Sequence, residues 1–149
     1  MQTVRIHRLH PDVPLPRYES AGAAGFDLAA SEDVVVPPGG LALIPTGLVI
    51  EVPPGHFLGV FARSSTPLRR GLMVANGVGV IDEDYCGPKD EIKIQVYNFT
   101  GAPVTVARGD RIAQGLFLPV SRATWDETAG AHRSQSRGGF GSTDPESPS

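Results

Sequence analysis

The sequence predicts an all-β sandwich or barrel, and three observations carry the prediction. Short runs rich in β-branched residues recur at a spacing of roughly ten residues. Glycine and proline are abundant, 18 and 14 in 149 residues, and they stand as punctuation between those runs. A helix is hard to place anywhere in the chain.

The elements follow in order. "TVRIHRL" (Thr3 to Leu9) alternates like a half-buried strand. "VVVPPGGLALIPTGLVIEVPPGHFLGVFAR" (Val34 to Arg63) repeats strand, Pro/Gly turn, strand. Proline cannot donate to a sheet ladder, so these prolines belong at strand ends and edges. "STPLRRGLM" (Ser65 to Met73) supplies at most one short helical turn. "LMVANGVGVI", "EIKIQVYNF" and "APVTVARGDRIAQGLFLPV" continue the strand rhythm. From Trp125 the composition turns polar and Gly/Ser-rich, which predicts a β-rich core over residues 1–125 and a flexible C-terminal tail over 126–149.

The bulk numbers bound the function. A hydrophobic content of 40% suffices for one domain with its own core. The net charge of −3 comes from interspersed acids and bases. No Lys/Arg run offers a nucleic-acid track, so any grip on phosphate is local. A single cysteine, Cys86, allows no internal disulfide, and His7, His10, His56 and His132 match no zinc spacing. No signal segment or membrane-length apolar run is evident, and the expectation is a cytoplasmic protein with no nucleic-acid or membrane partner. The sequon Asn98-Phe99-Thr100 then has no glycosylation meaning.

Five stretches carry chemistry. "NGVGVIDEDYCG" (Asn76 to Gly87) drives the apolar run Val78–Ile81 into three acids, Asp82, Glu83 and Asp84, with Tyr85 directly behind. An acid at the end of a buried strand can be held rigidly toward a pocket, as a general base must be. The alternative is a solvated turn whose acids do nothing. "AGFDLAA" places Asp27 in an apolar patch, as a local hydrogen-bonding fixture or as an anchor for a hydrated cation. "FARSST" follows a strand with Arg63 and three hydroxyls; Arg63 can fork onto phosphate oxygens and Ser64 and Ser65 offer hydroxyl and backbone donors, or the stretch is an ordinary charged strand exit. "RGDRIAQ" offers Gln114 as a polar group facing inward or toward a ligand. In the tail, "RGGFGST" (Arg137 to Thr143) combines pliable glycines, a flat Phe140 and the donors Ser142 and Thr143. It is not a Walker loop, because no lysine precedes the hydroxyls.

In this order and spacing the five stretches resemble the motifs of the homotrimeric dUTP pyrophosphatases (dUTPases), from about Pro14 to Thr143. "GVIDEDYCG", with Asn76 six residues before Asp82, is the most specific; "AGFDL", "GDRIAQ" and "GGFGST" reinforce it. The resemblance implies an antiparallel jelly-roll-like (β-clip) subunit and a threefold homotrimer. Three active sites then lie at subunit interfaces, each closed by a tail. The implied reaction is dUTP plus water giving dUMP and pyrophosphate, with Mg2+ as cofactor. Asp82 becomes the base that activates water for attack on the α-phosphorus, and Tyr85 lies under the deoxyribose and leaves no room for a 2′-hydroxyl. Asn76 and the adjoining strand at Val80 and Ile81 read the uracil edge, with backbone near Lys93 contributing. Arg63, Ser64, Ser65 and Gln114 hold phosphates, and Asp27 reaches magnesium only through water. Phe140 stacks on uracil beside Gly141, while Ser142 and Thr143 grip the outer phosphates.

The chain departs from the family pattern in three places. The loop "CGPKDEI" is three residues longer than the shortest family versions, the tail motif ends in Asp144 instead of Gly, and Gln135 stands where an arginine is usual. Arg137, or else Arg133, is the substitute cation. Two rivals remain. A dCTP deaminase-like enzyme needs a Glu three residues before Asn98, where this chain has Gln95. A non-catalytic nucleotide-binding trimer would have no need of Asp82.

Overall fold

The computed structural model describes residues 1–145. In chain order its strands are β1 (Ile6–Arg8), β2 (Phe26–Ala29), β3 (Val34–Val36), β4 (Leu41–Pro45), β5 (Leu48–Ile50) and β6 (His56–Ala62). After the helix α1 (Ser65–Arg70) come β7 (Leu72–Val74), β8 (Gly79–Ile81), β9 (Lys93–Asn98), β10 (Val104–Val106) and β11 (Arg111–Pro119). Every ladder among them is antiparallel. The β-rich, Pro/Gly-punctuated reading therefore holds, and the turn region foreseen at Ser65 is the one helix among the described residues.

Four strands form the larger sheet, in the order β2-β11-β6-β8, and three form the smaller, in the order β4-β9-β7. Two further pairs, β1-β5 and β10-β3, complete the wrapping around a single core. Strand alternation sets which residues enter that core. On β2, Phe26 and Leu28 point inward while Asp27 and Ala29 are only half-buried. On β9, Ile94, Val96 and Asn98 are buried, and Lys93 and Tyr97 are exposed. Leu28, Ile44, Leu58, Ile92, Ile94 and Ile112 are fully buried, each side chain contributing about 1.5–3 kcal/mol.

The buried polar side chains are all hydrogen-bonded. Asn98 donates its amide to the carbonyls of Val36 (3.0 Å) and Ala102 (2.8 Å) and accepts from Thr100. The sequon asparagine is thus consumed inside the fold. Thr66 donates to the carbonyl of Ile112 at 2.7 Å, tying the start of α1 to β11. The helix tolerates Pro67 because its first turn needs no donor there, and it ends at Gly71, whose φ of 68° is the left-handed stop that glycine adopts readily.

β11 ends at Pro119, and residues 120–145 are exposed throughout without strand or helix. No helix among the described residues is long and apolar enough to cross a membrane. The foreseen tail runs on to residue 149, and 146–149 lie outside the described residues.

Candidate active site

β6 is the backbone of the site, because the expected residues gather at its two ends. At the Ala62 end, register fixes the neighbours: β11 places Gln114 opposite Phe61 on one side and opposite Asp27 of β2 on the other. Gln114 donates to the carbonyl of Ala62 at 3.0 Å, so its amide faces the strand exit from which Arg63 projects. Arg63 Nε meets Asp27 Oδ1 at 2.9 Å. Asp27 Oδ2 is taken by Arg111 Nη1 at 3.0 Å, and the same nitrogen reaches Glu19 at 3.2 Å. Arg63 also donates to the Arg111 carbonyl at 3.1 Å. Two guanidinium groups and two carboxylates thus form one nearly neutral network. Ser64 and Ser65 follow Arg63, Ser64 exposed and Ser65 half-buried, with no side-chain cap bond at Ser64. Of the three hydroxyls in "FARSST", only that of Thr66 is committed to the core.

Asp27 lies between two arginines, each of its carboxylate oxygens in an ion pair. Arg111 and Glu19 were not foreseen. The signal for Arg111 is its placement one residue after Asp110 in "RGDRIAQ", at the start of the strand that carries Gln114.

At the other end of β6 the register pairs Leu58 with Ile81, Gly59 with Val80 and Val60 with Gly79. Gly79 packs closely here, since a Cβ would lie 3.0 Å from that of Val60 and push the two strands' side chains apart by a few tenths of an ångström. β8 is the edge of its sheet, so one side of its backbone, including that of the exposed Val80, faces outward without a strand partner. Asn76 and Gly77 (φ 72°) make the turn into β8, with Asn76 exposed. Asp82 emerges just past Ile81, exposed, and its carboxylate has no hydrogen bond or ion pair among the described residues. Tyr85 turns back beside it, its N–H donating to the Asp82 carbonyl at 3.2 Å and its hydroxyl to the Glu91 carbonyl at 3.0 Å. Glu83 accepts from the Gly55 N–H at 3.2 Å, which makes it a structural acid of this turn. Lys93 begins β9 with its side chain exposed.

These two groups do not meet within one chain. Asp82 lies one residue past the Ile81–Leu58 pair and Arg63 one past Ala62, so at ~3.3 Å per residue about 20 Å of strand separates them. The tail does not join them either: Arg137, Phe140, Gly141, Ser142 and Thr143 are all exposed, and Phe140 adopts a left-handed φ of 50° between glycines. Of two concavities, one lies apart from these groups and one beside them. One of about 980 Å³ opens between Tyr18, Phe26, Phe117 and His56 and includes no expected site residue. A second, of about 300 Å³, is lined by Glu19, Asp27 and Arg111, three of the four members of the charge network. A pocket is usually the default candidate for a site. Here the chemistry-bearing residues divide between the smaller cavity, which Asp27 and Arg111 line, and the exposed surface around Asp82.

The chain is similar to known proteins in sequence and in fold. The family model described as dUTPase matches residues 12–144. A deoxyuridine 5'-triphosphate nucleotidohydrolase of Anaeromyxobacter sp. (strain Fw109-5) is 46% identical over 147 residues, covering 95% of this chain and 97% of that one. The crystal structure of the dUTPase from Streptococcus mutans superimposes with a TM-score of 0.75 at 34% identity, covering 83% of this chain and all of the other. A dUTPase of Staphylococcus bacteriophage 80alpha with dUpNHpp shares the fold, with a TM-score of 0.84 over 96% of this chain and 99% of its own, at 21% identity. With the family model spanning every strand from β2 to β11 and all five motifs, the chain belongs to the dUTPase family.

Proposed function

We propose that this protein hydrolyses dUTP to dUMP and pyrophosphate, limiting uracil incorporation into DNA and supplying dUMP. The observation that carries the reading is Asp82: an uncommitted carboxylate at the end of an edge strand, with Tyr85 fixed beside it. Asp82 accepts a proton from a water as that water's oxygen bonds to the α-phosphorus. The bond from the α-phosphorus to the bridging oxygen breaks, and pyrophosphate leaves with the electron pair. Such chemistry depends on positioning and charge stabilisation more than on a strong nucleophile. The outward backbone of β8 at Val80 and Ile81 suits the uracil edge, with Asn76 and the start of β9 at Lys93 beside it. Tyr85 stacks against the sugar and excludes a 2′-hydroxyl. Arg63, Ser64, Ser65 and Gln114 hold phosphates at the other end.

The donor set does not fit a metal ion ligated by the protein alone. Among the described residues no three His, Cys, Asp or Glu side chains come together, and both oxygens of Asp27 face guanidinium groups. Mg2+ in this reading is carried by the triphosphate, which supplies the oxygen ligands such a hard cation takes, with Asp27 reaching it only through water. It neutralises phosphate charge when bound.

The separation along β6 supports a site shared between copies, with the Arg63 end of one chain facing the Asp82 end of the next. Closed threefold symmetry, with a tail from the remaining chain over each site, satisfies every copy equally. In the tail, Phe140 stacks on uracil, Arg137 meets the γ-phosphate, and Gly141, Ser142 and Thr143 approach the outer phosphates. The reading is tested by incubating the protein with dUTP, dCTP, dTTP and UTP plus magnesium. Pyrophosphate released from dUTP alone is expected; ammonia released from dCTP, or no turnover of any of them, contradicts it.

A further inference from the structure

The 86–92 loop is longer than the reaction requires, yet it is the most heavily tied turn at the Asp82 end of the molecule. Gly87 donates its N–H to Asp90 Oδ2 at 2.7 Å, and Asp90 donates its own back to the Gly87 carbonyl at 3.0 Å. A Cβ at Gly87 would lie 2.9 Å from that carboxylate oxygen, so a larger residue would shift the Asp90 side chain. The loop then docks on the β4–β5 turn. Glu91 Oε1 accepts from the Gly47 N–H at 2.8 Å, and the Ile92 carbonyl accepts from Thr46 Oγ1 at 2.6 Å. Ile92 itself is fully buried. The Tyr85 hydroxyl donates to the carbonyl of Glu91, the residue held by Gly47.

We propose that Glu91, anchored on Gly47, is a positioning residue for Tyr85, and that the 86–92 loop thereby sets the preference of the site for deoxyribose over ribose. A steric filter discriminates only if it cannot yield. Tyr85 is partly exposed, with 39% of its surface open, so packing alone does not fix its ring. The hydroxyl bond gives the ring its second fixed point. Its acceptor is a backbone carbonyl in the peptide whose N–H, that of Ile92, donates to the Leu48 carbonyl at 2.9 Å; the Glu91–Gly47 bond and, one step further out, the Asp90–Gly87 pair hold the chain that leads into that peptide. A loosened carbonyl lets the ring swing and a 2′-hydroxyl enter. The inference rests on the reading of Tyr85 as the sugar filter.

The test compares kcat/KM on dUTP and on UTP for Glu91→Ala, Glu91→Gln, Asp90→Ala and Tyr85→Phe. Glu91→Ala should lower the dUTP/UTP ratio by roughly tenfold, the scale of a single lost steric contact, chiefly by raising efficiency on UTP. Glu91→Gln should restore the ratio, because its amide oxygen still accepts from Gly47, and Asp90→Ala should lower it less. Tyr85→Phe, which removes only the hydroxyl, should lower the ratio as Glu91→Ala does, and the double variant should lower it no further. A Glu91→Ala protein that loses both substrates equally, with its ratio intact, overturns the proposal. If that variant does not fold, an unchanged ratio in Tyr85→Phe overturns it alone. A wild-type ratio in Tyr85→Ala places the fault in the filter reading underneath, and the proposal falls with it.

Discussion

At the Ala62 end of β6 the site consists of side-chain charges that hold one another, Arg63 and Arg111 against Asp27 and Glu19. At the other end Asp82 stands free, and its neighbours are held through the backbone: Tyr85 by the Glu91 carbonyl, Glu83 by the Gly55 N–H. The difference reflects what each end has to do. A triphosphate brings several negative charges, and a network of paired guanidinium groups and carboxylates can redistribute its contacts as those charges arrive. A base and a sugar filter must be in place beforehand, and bonds to backbone cost no rearrangement at the moment of reaction. Substitutions at the two ends should therefore fail in different ways.

The largest effect belongs to the Asp82 end. Asp82→Asn should lower kcat by roughly 10²–10⁴-fold, the range for a positioned base, while dUTP still binds because the amide keeps the shape of the carboxylate. Stopped turnover with calorimetric binding of a non-hydrolysable analogue separates the two quantities. Near-normal kcat removes Asp82 from its role.

Next comes the charged end. Arg63→Ala removes a charge-assisted donor, a loss of about 1.5–3 kcal/mol, so kcat/KM should fall by roughly 10- to 150-fold, mostly through KM. Arg111→Ala should fall less, roughly tenfold or below, since in this account Arg111 works by neutralising Asp27 and leaving the charge of Arg63 for phosphate. Its signature is the KM rise together with partial rescue by Arg111→Lys. Equal losses in the two variants would erase the distinction between a phosphate ligand and its counter-charge.

The smallest effect is on stability. Arg70 donates to Asp110 at 2.8 Å and, aided by the Ala107 N–H and opposed by desolvation, holds the Asp110 carboxyl below its usual range. A carboxylate with a lowered folded pKa contributes stability that is complete above its unfolded value, near 3.9, and disappears as the pH falls through the folded one. The Tm difference between wild type and Arg70→Ala should hold from neutral pH down to about 5 and shrink below about 4. A difference that grows in acid contradicts the pairing.

Much of this was legible in the sequence. The Pro/Gly rhythm locates the strands, and the apolar run ending at Asp82 locates β8, because both are local signals. The phosphate end was legible only as separate fragments. Asp27, Arg63 and Arg111 stand far apart in the chain and meet through the register of β2, β11 and β6, which no short window contains. That Thr66 is buried against Ile112, unlike Ser64 and Ser65 beside it, is likewise a product of packing. The long 86–92 loop shows in the sequence only as added length, since nothing in "CGPKDEI" announces that Glu91 reaches back to the turn at Gly47.

The central claim is that one active site takes the Arg63 end of one copy and the Asp82 end of another. Arg63→Ala and Asp82→Asn proteins are unfolded together in equal amounts, refolded and assayed with dUTP far below KM, where both parents are impaired. If sites are shared, random assembly in a closed ring gives about one quarter of them both an intact Arg63 and an intact Asp82, and activity returns to about that fraction of wild type. If each site is complete within one chain, the mixture shows only the average of its two impaired parents.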